Sequence, residues 1–141
     1  MITTLERPAF VVAGIPVLAP FEHLAFAVPE AWAAAFADLE GTFAEASTYI
    51  NGRYHEVVGI LVDLEDHLDG FVHTIVPAGE YAHLTHVGPR SAIADSFGGI
   101  ESWALDHGRV VGSFKLDVGY QADGMDRVHE LYVSLVPREA S

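Results

Sequence analysis

The sequence predicts an α+β fold: two β-α-β-β units whose antiparallel strands form one curved sheet, with two helices on one face and a ligand cleft at the pseudo-dyad. Three observations predict it. The chain has 141 residues, half of them hydrophobic, enough for one domain with a core and room for a duplicated half-unit. Two segments with helical apolar spacing each carry one tryptophan, Trp32 and Trp103. A turn dipeptide follows each at nearly the same distance: Asn51-Gly52 begins 19 positions on (from 32 to 51), and Asp123-Gly124 begins 20 positions on (from 103 to 123). The two halves share an order of elements rather than a sequence repeat, and are expected at about residues 8–64 and 71–137 of a single domain spanning 1–141.

Phe10 to Ile15 is rich in β-formers and reads as the first strand, with Pro16, Pro20 and Phe21 in a following loop. A helix comes next, with Pro29 in its first turn, where a missing N–H is harmless. Trp32, Phe36, Leu39 and Phe43 recur on one helical face, alanines supply propensity, and Gly41 ends the regular part. Asn51-Gly52 between β-formers predicts a hairpin from Thr48, its second strand running through Val62. The acidic run Asp63 to Asp69 reads as a solvated loop closed by Gly70. His73 to Val76 is a short strand, Pro77 to Gly79 a turn, and Glu80 to Val87 another strand. A second helix is expected from an N-cap at Ser91, with Ile93, Phe97, Ile100 and Ala104 on its apolar face, Gly98-Gly99 weakening it and Gly108 at C′. Val110 to Tyr120 and Arg127 to Val136 read as the last two strands, before a short polar tail.

Seven basic and twenty acidic residues give a formal charge of −13. Nucleic-acid phosphates and anionic membrane surfaces would be repelled, so neither is expected as a partner, whereas cations, cationic aromatic compounds and basic protein patches are admitted. The absence of cysteine removes disulfides, thiolate metal sites and cysteine nucleophiles. The N-terminus lacks the pattern of a signal peptide. The stretch Ala9 to Ala19 is too short and too broken by Gly14 and Pro16 to span a bilayer. The expectation is a soluble, cytoplasmic protein.

The final strand is the most informative. Side chains alternate, so Leu131, Val133 and Leu135 share a face expected to pack on the helices, while Glu130, Tyr132 and Ser134 share the other. A carboxylate beside a phenol can hold a cation through charge and π-face together. Tyr54 and Glu56 form a similar pair, on the face that carries Val58 and Ile60, and Asp117 comes from the preceding strand of the last hairpin. Glu56, Asp117 and Glu130 on neighbouring strands, with tyrosines between them, would make an acidic aromatic cleft whose crowded carboxylates raise one another's pKa. The cleft is expected on the sheet surface that the helices leave uncovered. Trp32 and Trp103 are core or pocket wall. His83 and His86 form an H-x-x-H, but on a strand they point to opposite faces, so no metal site is expected. Ser96 and Ser113 lack a nucleophile-elbow context, and no glycine-rich nucleotide loop exists, so no cofactor is expected.

Several segments together resemble the GyrI-like small-molecule-binding family, the effector-binding domain of multidrug-sensing MerR- and AraC-type regulators. Arg7 to Gly14 resembles the family's opening strand, and Val28-Pro29-Glu30-Ala31-Trp32 its "I-P-E-x-W" helix start. Val57 to Ile60 resembles its "V-G-V" strand. The run Ile75 to Pro89 resembles "I-P-A-G-x-Y-A-x-F-x-H-x-G-P", and Glu130-Leu131-Tyr132-Val133 resembles "E-I-Y-I". The resemblance implies the duplicated fold and a cleft for lipophilic, often cationic, aromatic compounds, lined by an acid and aromatics. It carries that role onto Glu130 and Tyr132, and brings Tyr81 into the ligand-binding set with Tyr54, Glu56, Asp117, Trp103 and Trp32. Asp117 stands where many members carry glutamate in "F-E-x-Y"; here the neighbourhood reads Leu-Asp-Val-Gly, with a shorter carboxylate and no tyrosine.

No segment is left for a helix-turn-helix, so a stand-alone member is expected. Three functions follow, in order: binding of a lipophilic aromatic compound for drug sequestration, antibiotic resistance or sensing; hydrolysis of a strained or electrophilic aromatic natural product, with Glu130 as acid/base or water-orienting group and Tyr132 or a histidine beside it; and gyrase-type protein modulation. A homodimer or a basic protein surface completes the partners considered.

Overall fold

The computed structural model describes residues 1–19 and 24–138. Pro20, Phe21 and the last three residues of the polar tail lie outside them. The strands are β1 (Thr3–Arg7), β2 (Phe10–Ala19), β3 (Phe43–Ile50), β4 (Arg53–Val62), β5 (Val72–Val76), β6 (Gly79–Val87), β7 (Val111–Tyr120) and β8 (Val128–Leu135). The helices are α1 (Leu24–Asp38) and α2 (Ile93–Asp106). All eight strands join one antiparallel sheet, ordered β1-β6-β8-β7-β3-β4-β2-β5. The α+β prediction therefore holds. Segment β5 pairs with β2, and β1 pairs with β6, so each half lends an edge strand to the other.

The sheet cannot be flat. Eight strands side by side would span about 33 Å. Yet β1 and β2, at opposite ends, are joined only by Pro8-Ala9, and β5 and β6 only by Pro77-Ala78, a reach of about 11 Å at most. The sheet therefore rolls until its ends approach. Its concave face is lined by Val12, Val57, Val76, Tyr81 and Leu116, drawn from both ends into one cluster. The roll is tight where β2 crosses β4. Gly14 pairs with Gly59, and a Cβ on Gly59 would lie 1.9 Å from the Ala13 carbonyl oxygen.

Both helices lie on the convex face. Helix α1 packs Ala31, Trp32, Ala35 and the adjoining Leu39 onto Val17, Val58 and Ile60. Helix α2 packs Ile93 and Ile100 onto Ala82, Leu131, Val133 and Leu135. Each helix sits mainly on the outer strands of its half, α1 on β2 and β4, α2 on β6 and β8. The central strands β3 and β7 thus lie in the groove between them.

Several local readings change. Pro29 is the sixth residue of α1 rather than part of its first turn; Leu24 to Val28 extends the helix, and Ala27 and Val28 pack on the core. Gly41 does end the helical stretch, so Phe43 opens β3 instead of continuing the helix. It still packs with the predicted partners, 6.1 Å from the Trp32 ring and 4.8 Å from Phe36. Pro16 lies inside β2. Ser91 is not the cap of α2: a 3₁₀ turn, Arg90–Ala92, leads into it, and Ala92 caps without a side-chain bond. Its other end follows prediction, with Arg109 N–H bonding the Ala104 carbonyl around Gly108. The hairpin turn is also as expected, Asn51 and Gly52 both having positive φ (52° and 80°).

Replacing Gly59 by valine forces a side chain into backbone at the β2–β4 crossing. The expected loss of stability is at least the roughly 1–3 kcal/mol typical of overpacking, read from denaturant unfolding; wild-type stability in that variant would contradict the close approach.

Candidate functional site

A cavity of about 300 Å³ opens beneath the flank of α2, over β3, β4 and β7. Its floor comes from strand alternation. In register, Glu45 of β3 pairs with Asp117 of β7 and Ser47 pairs with Glu56 of β4, so all four point to the helix side. Tyr54, Glu56 and Lys115 continue the lining along the strands, and Phe97, Gly98 and Glu101 of α2 form the roof. A Cβ at Gly98 would meet nothing within 4 Å, so this glycine leaves the roof open. A second hollow of about 240 Å³ adjoins it, sharing Ser47, Tyr54, Glu101 and Lys115. Lys115 Nζ lies 3.0 Å from Glu101 and 5.5 Å from the centre of the Phe97 ring, a tethered cation at the junction.

Three acids crowd the floor, each with different partners. Asp117, 3% exposed, receives a hydrogen bond from His129 Nδ1 at 2.6 Å. The other ring nitrogen of His129 donates to Asp126 at 2.5 Å. With a carboxylate on each nitrogen, the ring is held as the imidazolium. Burial opposes its charge, but the bonds and charges of Asp117 and Asp126 outweigh that and raise its pKa. Asp126 is held well below the usual carboxylate range: burial works against this, but hydrogen bonds from Arg90 and His129 prevail. The chain Asp117–His129–Asp126–Arg90 therefore runs from the cavity floor to a half-exposed arginine, which also bonds the Gln121 carbonyl.

Glu45 is pushed well above the usual carboxylate range, by burial first, then by the hydrogen bond and charge of Glu56 and the charge of Asp117. Tyr120 pulls the other way only to the extent that its single hydroxyl hydrogen turns to Glu45 rather than to Asp117. The Tyr120 hydroxyl lies 2.8 Å from Asp117 and 3.2 Å from Glu45. Its own pKa is driven far up by burial and by those two acids. Glu56 is 9% exposed, and its Oε2 has no hydrogen-bond partner.

The structure divides the residues expected in one cleft. Tyr54, Glu56 and Asp117 line the cavity. Trp32 is one ring removed, stacked on Tyr120 at 4.3 Å within the α1 core. Trp103 packs in the α2 core and stacks on His107. Glu130, Tyr132 and Tyr81 lie through the sheet, on the concave face. There Glu130 accepts hydrogen bonds from His83 and Thr85, and Tyr132 stacks on His83 at 4.8 Å, with the Arg7 guanidinium 4.4 Å from its ring centre. The expectation of a single acidic cleft joining Glu130 to Glu56 and Asp117 is thus corrected: Asp117 pairs with Leu131, so Glu130, one residue away, points to the opposite face. So is its placement on the helix-free surface, because the acid-lined cavity lies on the helix side. His83 and His86 do point to opposite faces, His86 bonding Ser96 of α2 and the Pro89 carbonyl. Among the described residues, no group of three or more His, Asp and Glu is arranged to hold a metal ion.

Glu45, Tyr120, Asp126, His129 and Arg90 were not foreseen. A hairpin read from Thr48 leaves Glu45 outside any strand, so its alternation with Ser47 carries no signal in the sequence. Asp126 falls in the last turn, three residues before His129, a spacing with no meaning until the turn folds back.

No protein-family model matches the chain, and no curated protein matches it in sequence. Solved structures do match in fold. "The structure of SAV2435 bound to tetraphenylphosphonium" superposes with a TM-score of 0.71 at 12% identity, covering 96% of this chain and 94% of that one. The EcmrR C-terminal domain gives 0.65 at 12% identity, covering 98% of both chains. A hydrolase from Listeria innocua gives 0.57 at 11% identity, covering 96% of this chain and 91% of the other. The chain shares the fold of these proteins.

Replacing His129 by glutamine leaves Asp117 and Asp126 buried without their shared cation. A loss of about 3–5 kcal/mol is expected in denaturant unfolding. Because the folded pKa of His129 is raised, its contribution is fully present below the unfolded value of about 6.5 and is lost as pH rises through the folded value. The gap between wild type and variant should therefore narrow on the alkaline side; a gap that widens there would contradict a charged His129.

Proposed function

We propose that the chain is a GyrI-like small-molecule-binding domain that takes up a lipophilic aromatic monocation in the cavity beneath α2. The observation that carries this reading is Glu56, a buried carboxylate with an unpartnered oxygen in a cavity walled by Phe97 and Tyr54. A buried anion without a partner is costly, and a desolvated cation supplies one. His129 already offsets Asp117, so Glu56 is the acid with charge to spare. The aromatic walls add cation–π attraction and apolar burial. The size agrees: about 300 Å³ with an adjoining 240 Å³ lies at the lower end of small-molecule pockets. The ligand-bound SAV2435 and the EcmrR domain support the same reading by fold. Sequestration or sensing of a toxic compound is the role such binding would serve.

Tetraphenylphosphonium is the direct probe. Calorimetric titration should show saturable binding, weakened tenfold or more (about 1.4 kcal/mol) by Glu56→Gln. Binding that is indifferent to this substitution would move the ligand elsewhere.

A second reading, hydrolysis at Glu130, is favoured by the group on the concave face. Glu130 is held by His83 and Thr85 beside the Tyr132 phenol, an arrangement suited to orienting water. The Listeria hydrolase of like fold gives it some weight. Turnover of a strained, electrophilic aromatic substrate that Glu130→Gln abolishes, with phosphonium binding intact, would establish two separate sites; absence of turnover in the wild type would remove this reading.

A further inference from the structure

We infer that the cavity exchanges a proton for its cation: Glu45 carries the proton before a ligand enters, and a seated monocation drives it off to solvent. The inference rests on the cation-binding reading above and adds its coupling to pH.

The geometry requires a proton that full ionisation does not supply. Tyr120 has one hydroxyl hydrogen, yet its oxygen lies within hydrogen-bond distance of both Asp117 (2.8 Å) and Glu45 (3.2 Å). It donates over the shorter contact. The longer one is then oxygen against oxygen, attractive only if Glu45 is itself a donor. On the other side, Glu45 meets the Glu56 carboxyl, a contact between two acids that is attractive only if one of them carries a proton. One carboxyl hydrogen on Glu45 serves one of these two contacts at a time, the phenol oxygen or the Glu56 carboxylate, whereas full ionisation serves neither.

The surroundings confine the proton to that site. Around Glu45 stand Tyr54 and Glu56 from β4, Lys115, Asp117 and Tyr120 from β7, His129 from β8 behind Asp117, and Glu101 from α2. Helix α1 contributes the uncharged Trp32 behind Tyr120. His129 offsets Asp117 and Lys115 pairs with Glu101, so neither cation is available to Glu45. Burial and the two neighbouring acids raise its pKa accordingly.

A monocation over this floor reverses the balance. Its field favours ionised carboxyls, and Glu45 loses its proton to a buffer base. The reaction is balanced: one cation enters, one proton leaves, and no covalent bond other than O–H is broken. With Asp117 offset by His129 and Glu101 by Lys115, the cavity carries one net negative charge both before and after the exchange.

The test is calorimetry of the full chain with tetraphenylphosphonium at about pH 6, between the ordinary carboxylate range and neutrality, in buffers of differing ionisation enthalpy. The expected result is net release of up to one proton per ligand, abolished by Glu45→Gln, whose amide imitates the protonated acid. The wild-type dissociation constant should also rise by up to about tenfold per unit fall in pH below the Glu45 pKa. Binding with no buffer dependence and no pH slope would overturn the exchange while leaving the cation site standing. Release that persists in Glu45→Gln would overturn the assignment to Glu45. Absence of any binding would remove the site and the exchange together. Should the variant fail to fold, the wild-type proton count and pH slope decide alone.

Discussion

A carboxyl group shut away from water must find a cation, a donor or a proton, and the helix side of this sheet carries three that have to be reconciled. Asp117 takes the cation, through His129. Glu45 is pressed toward the proton. Glu56 is left with an oxygen that has no hydrogen-bond partner. The rest of the architecture holds this arrangement in place. The relay through Asp126 to Arg90 keeps the imidazolium charged inside the protein, and Arg90 ties the last turn to the start of α2. The helix that roofs the cavity and the charge that stabilises its floor are thus fastened to the same residues.

The cavity exists because of how the helices divide the sheet. Each covers the outer strands of its half and leaves the middle pair, β3 and β7, between them. On the α1 side the gap is filled by packed rings, Trp32 stacked on Phe36 and Tyr120, with Phe43 edge-on to Phe36. On the α2 side it stays open, because Gly98 has no side chain and Lys115 leans outward to Glu101. The asymmetry turns a pseudo-symmetric groove into a one-sided pocket with an aromatic back wall.

The concave face has different chemistry. Its centre is an apolar cluster, and toward β6 and β8 it carries Arg7, His83, Glu130 and Tyr132 in mutual contact. Here Glu130 is bonded by His83 and Thr85 and Arg7 lies over the Phe10 and Tyr132 rings, whereas on the helix side a carboxyl oxygen is left without a partner. That difference makes the helix-side cavity the stronger candidate for a cation, although the acid singled out by family resemblance lies on the concave side.

Much of this was legible in the chain itself. Apolar spacing around Trp32 and Trp103 announced both helices, and Asn51-Gly52 announced its hairpin because few other pairs tolerate two positive φ values in succession. Strand alternation correctly put Leu131, Val133 and Leu135 against a helix and Glu56 beside Val58. These features are local: propensity, turn chemistry and a period of two act over a few residues. Register between strands is not local. Whether Asp117 shares a face with Glu45 or with Glu130 depends on which residues pair across β3, β7 and β8, and a shift of one residue exchanges the answer. The partnership of His129 with Asp126 and the near-contact of Gly14 with Gly59 likewise arise only when the sheet rolls and its turns fold back. Sequence alone determined both helices, most of the strands and most of their inward faces, but not β1 or the start of β3; the tertiary structure decided which acids meet, because that meeting is set by pairing between strands distant along the chain.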